Sequence, residues 1–176
     1  MGLKQNRLNN AKWTAMFIFI LLLISLMCSK SHAKAPLKPK KDYKTVAFEI
    51  AKKYNVDPYL VLSIINVEST GCKYKVNKTS GDYGCMQVNQ ANIDKLGLDK
   101  HKLVHNDAYA IEAGVVILHK MKLRYADTEK LSWVCRYNVG TGKLRGRRAK
   151  LCTMYANKVY EQYYRLNRPL NMAINQ

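Results

Sequence analysis

One carboxyl in this chain stands where an apolar side chain belongs. Counting back from Glu68, Ile65, Ile64, Val61 and Leu60 lie three, four, seven and eight positions earlier. On a helix these positions share one face. Glu68 therefore extends an apolar stripe at a place a Leu would fill. Burial without a cation disfavours the charged form and raises a carboxyl's pKa. A carboxyl still protonated near neutral pH is equipped to act as a general acid. The plainer account is a helix end that reaches the surface and leaves Glu68 solvated. Asp82 is the nearest candidate for a partner carboxylate, but Gly81 and Gly84 lie close on either side, and the segment reads as a turn that Asp82 shapes.

Other reactive side chains point less sharply. His101 and His105 are four apart and His119 follows. Two His at that spacing can share a metal, yet no Glu or Cys completes a recognised motif. Surface placement is expected, with no metal and no cofactor. Lys143, Arg145, Arg147, Arg148 and Lys150 form the densest basic run. It reads either as a solvated loop or as an attractor of anions. Tyr155, Tyr160, Tyr163 and Tyr164 recur at helical spacing and read as packing residues rather than a stacking platform.

The elements that must position these groups are mostly helical. Asp42 can cap a helix over about 43–54, which Asn55 ends. Asp57-Pro58 is a cap followed by Pro at the first helical position, so a second helix runs to about Glu68. Residues 70–85, with Gly71, Asn77, Ser80, Gly81, Asp82 and Gly84, read as a turn-rich excursion or short hairpin. Further helices are expected over 89–96, stopped by Gly97, over 106–125, over 128–138 with Thr128 as cap, and over about 149–165.

The N-terminus sets the compartment. Lys4, Arg7 and Lys12 precede an apolar stretch from Ala15 to Cys28, and Ser31-His32-Ala33 supplies small residues for cleavage. Residues 1–33 thus read as a secretory signal peptide cut after Ala33; the stretch is short against the roughly 20 residues of a bilayer span. Residues 34–42 read as a Lys/Pro linker, 43–168 as one domain and 169–176 as a tail. An apolar fraction of 48 % in 176 residues excludes a disordered chain and suits one core. The net charge of +18 calls for a polyanion, and four of those charges lie in the signal, leaving +14 on the exported part. Export argues against nucleic acid. It also turns the cysteines toward disulfides. Cys28 leaves with the signal; Cys72, Cys85, Cys135 and Cys152 remain. Three pairings are open. Cys72–Cys85 and Cys135–Cys152 are favoured because each closes a short loop, and a loop of about 15 residues contributes about 3 kcal/mol in the chain-entropy picture.

Three ordered motifs then carry a resemblance. Glu68-Ser69 is followed by Gly84-Cys85-Met86-Gln87-Val88-Asn89, and later by Tyr137-Asn138-Val139-Gly140. Together they resemble the lysozyme-like lytic transglycosylases with a soluble-lytic-transglycosylase domain. The likeness is greatest to the small, specialised members attached to type IV or type III secretion, conjugation or pilus systems, and it spans about residues 44–165. It implies a mainly α, goose-type lysozyme-like single domain with a small hairpin near the site, acting as a monomer on peptidoglycan in the periplasm. Glu68 would be the sole catalytic acid/base. Ser69 would support its geometry and Tyr137 would hydrogen-bond and orient it. Gly84 would let the backbone approach the glycan; Met86, Gln87, Asn89 and Asn138 would bind sugar. Cys85 and Arg136 depart from the usual pattern, which has an aliphatic and a small residue there. The resemblance implies cleavage with 1,6-anhydro ring closure. Hydrolysis in the manner of a goose-type lysozyme, or wall binding without catalysis, would use the same fold. Machinery components and anionic wall or membrane polymers are the further partners expected.

Overall fold

The computed structural model describes residues 41–174; the expected signal peptide and most of the basic linker lie outside them. Seven α-helices and one hairpin are found among the described residues: α1 Tyr43–Lys53, α2 Pro58–Ser69, β1 Val76–Asn77, β2 Asp82–Tyr83, α3 Gln90–Leu96, α4 Lys100–His105, α5 Asp107–Glu129, α6 Arg136–Val139 and α7 Gly146–Ile174. A 3-10 segment, Lys130–Cys135, joins α5 to α6. The fold is mainly α, as expected.

Helix α2 is the centre of the core. Asp57 Oδ1 accepts from the Tyr59 N–H at 2.8 Å and Pro58 takes the first turn, which fixes the start. Leu60, Val61, Leu62, Ser63, Ile64 and Ile65 are all buried. A helix buried around its circumference must be covered on several sides. Helices α1 and α7 both pack on α2, and α1 packs in turn on α5. Ser63 satisfies its buried hydroxyl by donating to the Tyr59 carbonyl at 2.6 Å. The helix then ends abruptly. Thr70, Gly71 and Cys72 all have left-handed backbone, with φ of 54°, 73° and 64°. Three such residues in a row turn the chain away directly after Glu68-Ser69.

The hairpin pairs Val76 with Tyr83 and Asn77 with Asp82, antiparallel. Asn77 Oδ1 holds the turn by accepting from the N–H groups of Thr79 and Ser80. Helix α3 is capped by Asn89, whose Oδ1 accepts from the Asn92 N–H at 2.9 Å, and closed by Gly97 at φ 60°.

Three expectations change. Residues 98–105, between two expected helices, contain α4, capped by Asp99 through the Lys102 N–H. The expected helix over 128–138 is instead the end of α5, a 3-10 segment and the one-turn α6. Thr128 is no cap; its hydroxyl donates back to the Tyr125 carbonyl. Trp133, Val134, Cys135, Arg136 and Tyr137 are all buried in succession. The first three of these lie in the 3-10 segment and the last two on α6. Finally, α7 begins three residues before the expected 149 and continues to Ile174.

Both favoured disulfides are formed. Cys72–Cys85 ties the turn after α2 to the segment after β2, and Cys135–Cys152 ties the 3-10 segment to α7. No helix among the described residues is long and apolar enough to cross a membrane.

Candidate active site

Glu68 lies on the last turn of α2, half-buried, in line with the apolar stripe beneath it. Its carboxyl accepts a hydrogen bond from the Tyr155 hydroxyl at 2.6 Å. Burial pushes its pKa up to about 7. The Tyr155 hydroxyl pulls the other way, and the negative charge of Asp82 adds a smaller upward push. Near neutral pH the carboxyl is thus divided between donor and acceptor forms, which suits a group that must give and then take a proton.

The next residue locks this geometry. The Ser69 hydroxyl, fully buried, donates to the Cys85 carbonyl at 2.7 Å and accepts from the Cys72 N–H at 3.0 Å. One side chain therefore bonds both strands of the Cys72–Cys85 link. The end of α2 is fixed to the segment that carries Gly84, Cys85, Met86 and Gln87.

That segment is tied closely into the fold. Met86 is fully buried and lies against α5, where a Cβ on Gly114 would meet Met86 Cβ and Sδ at 2.5 Å. It fills the core and does not line a cleft. Gly84, at φ 83°, is also needed for packing, since a Cβ there would meet Ala110 Cβ and the Leu103 carbonyl oxygen at 2.9 Å. The close approach seen is to α4 and α5. Asn89 spends its side-chain oxygen on the α3 cap, though it is exposed. Gln87 is half-buried at φ 48°, and its amide donates to the carbonyls of Gly84 at 2.9 Å and Tyr74 at 3.3 Å.

The tyrosine expected to orient Glu68 is another one. Tyr137 is buried and donates to the Met86 carbonyl at 2.7 Å, while Tyr155 makes the bond to Glu68. Burial raises both phenols well above their ordinary pKa, with the Glu68 charge adding to each. Both stay protonated, so both are donors throughout the neutral range. Tyr155 escaped the sequence reading because its four-residue recurrence with Leu151 and Val159 marks a packed face, and nothing local links it to a carboxyl 87 positions earlier. The Cys135–Cys152 disulfide supplies the link in space, holding α7 beside the segment that leads into Tyr137.

Asn138 is exposed at the end of α6. Arg136, where the usual pattern has a small residue, is buried. Its Nε donates to both Glu129 carboxylate oxygens at 3.0 and 2.9 Å, and its Nη2 bonds Glu129 as well. Nη1 donates to the carbonyls of Gly140 and Gly142 at 3.2 and 2.6 Å, and the guanidinium lies 4.4 Å from the Tyr125 ring centre. Arg136 therefore pins the loop after the Y-N-x-G motif. Asp82 accepts from the Ser80 hydroxyl at 2.6 Å, which fits the turn-shaping role. The rings of His101 and His105 lie 4.4 Å apart on the exposed side of α4, and among the described residues no group of three or more His, Cys, Asp or Glu is placed to hold a metal ion.

The family model of the transglycosylase SLT domain matches residues 45–160. A protein of Escherichia coli O157:H7 described as "Peptidoglycan-binding-like protein" is 32 % identical over 134 residues, covering 68 % of this chain and 76 % of that protein. The chain belongs to the transglycosylase SLT domain family, whose members act on peptidoglycan.

Proposed function

We propose that the protein is a lytic transglycosylase that cuts the β-1,4 bond between N-acetylmuramic acid and N-acetylglucosamine, with Glu68 as its one acid/base. The observation that carries this is the half-buried Glu68 carboxyl, held by a neutral phenol and raised to about 7. In the first step Glu68 gives its proton to the glycosidic oxygen and the C1–O bond breaks. The N-acetyl oxygen of the muramoyl residue bonds to C1 and carries the positive charge into its ring. The Glu68 carboxylate then takes the C6 hydroxyl proton. O6 attacks C1, the bond to the N-acetyl oxygen breaks, and a 1,6-anhydro ring closes. The acid is restored and no water is consumed. This departs from the two-carboxylate scheme of ordinary glycosidases.

Asp82 supports a second reading. It is near enough to raise the Glu68 pKa. Were it to activate water, the protein would be a goose-type-like hydrolase. Digestion of purified sacculi separates the two, because the anhydro product is lighter by one water. Anhydro products lost in Glu68→Gln support the transglycosylase; hydrated reducing ends alone would sink it. Export by residues 1–33 fits this substrate, and so does local opening of the wall for a secretion, conjugation or pilus apparatus.

A further inference from the structure

The basic run on α7 borders a cleft that the chemistry above does not use. Asn138, Val139, Arg147, Arg148 and Leu151 frame a cavity of about 400 Å³. One wall is the Y-N-x-G segment and the other is the start of α7. Arg148 precedes Tyr155 by seven residues and Leu151 precedes it by four, so the three share one helix face. Seven residues are two turns, about 10 Å along the axis. The cleft thus lies on the flank of α7 that reaches Glu68, a short step beyond it.

Its charge is uncompensated. Arg147 and Arg148 are exposed, and neither is in an ion pair among the described residues. Arg148 lies over the loop after the Y-N-x-G motif. Its guanidinium covers Gly142 so closely that a Cβ there would meet Nη1 at 1.7 Å. The Gly142 carbonyl is itself held by Arg136 at 2.6 Å. A buried arginine thus holds the loop that an exposed one covers. Two guanidinium groups beside an exposed amide, over the apolar side chains of Val139 and Leu151, form a recognition surface for a carboxylate on a carbon framework.

We propose that this cleft is a carboxylate subsite for the muramoyl side arm, through which the enzyme selects strands by the charge beside the bond it cuts. The inference rests on the transglycosylase reading of Glu68. A bare lactyl group ends in a carboxylate; a peptide-bearing one presents the carboxylates of its peptide. N-acetylglucosamine has neither. Binding is measured on the chain carrying Glu68→Gln, which separates affinity from turnover. The probes are three muramoyl glycan oligosaccharides: one with free lactyl carboxylates, one with peptides on them, and one with the lactyl carboxyls capped as neutral methylamides. At least one charged glycan is expected to bind about tenfold more tightly than the capped one. Adding Arg147→Gln with Arg148→Gln shrinks that gap below about twofold. Adding Lys44→Gln with Lys52→Gln, which removes the same charge from exposed positions on α1, keeps it. A gap for the lactyl form alone, or for the peptide form alone, names the source and supports the subsite. Equal binding of charged and capped glycans overturns it. So does a gap that survives the arginine pair, or one that the lysine pair abolishes equally. Failure of the unsubstituted chain to cut sacculi would instead remove the reading of Glu68, and the binding gap would still decide the subsite.

Discussion

Glu68 and Arg136 are both withdrawn from water, and their surroundings are opposite in kind. Arg136 has a carboxylate partner on two edges, two carbonyls on a third and an aromatic face alongside. The Glu129 bond raises its pKa further and fixes the charge. Glu68 has one neutral hydroxyl, and the charge that acts on it, Asp82, has its own sign. Burial therefore wins, and the carboxyl holds its proton to about pH 7. A buried charge with a full set of partners serves the fold. One left nearly unpaired keeps a proton that can be moved.

The contrast breaks most visibly at Glu68 itself. Glu68→Gln keeps the shape and the acceptor for Tyr155 but removes the mobile proton. Release of anhydro products from sacculi is expected to fall about 10³-fold. Retention of a third of the activity would place the chemistry elsewhere. At the other pole, Arg136→Ala leaves Glu129 in a largely enclosed position without its cation. The expected cost is about 3 kcal/mol of stability, read from the denaturant midpoint. A cost below about 1 kcal/mol would mean that Arg136 is not the structural anchor its bonds describe.

The proton also appears in the stability curve. Below pH 4.5, the ordinary value for such a carboxyl, folded and unfolded chains both carry it and Glu68 is neutral in the balance. Between 4.5 and about 7 the unfolded chain releases its proton while the folded chain keeps it, so stability falls as pH rises. Above that range the full cost stands, on the order of 3 kcal/mol. Glu68→Gln abolishes this titration. It is expected to raise Tm at pH 8, with the gain vanishing by pH 4. Equal gains at both pH values would show that the substitution acts through packing alone.

What the sequence disclosed follows from distance along the chain. The Asp57-Pro58 start, the stripe from Leu60 to Glu68 and the two disulfides are local patterns, and each survives in the fold. The family was legible because three short motifs occur in order, before any of them had a place in space. Their individual duties were not legible. Met86 is core because Gly114 makes room for it from another helix, and Gly84 is required by its packing on α4 and α5. The segment Trp133–Tyr137 has helical composition, yet it is divided between the 3-10 segment and α6, with all five side chains buried. The tyrosine on Glu68 was the largest surprise. Only the packing of α7 against α2 brings Tyr155 to the carboxyl.

The two buried tyrosines give the finest test, because they differ in what their hydroxyls touch. Tyr155 donates to the Glu68 carboxyl and lowers its pKa, favouring the form that accepts the C6 proton in the proposed mechanism. Tyr155→Phe removes that restraint. The alkaline limb of kcat/KM, expected near pH 7 in the parent, moves upward, and the rate falls about tenfold. Tyr137 donates to the Met86 carbonyl instead. Tyr137→Phe leaves that buried acceptor unpaired, and the expected loss is about 1–2 kcal/mol of stability. The alkaline limb stays where it was, because the phenol bonds no titrating group. If the limb moves with Tyr137→Phe and not with Tyr155→Phe, the working molecule orients Glu68 through the tyrosine of the Y-N-x-G motif, and the bond made by α7 does not govern the chemistry.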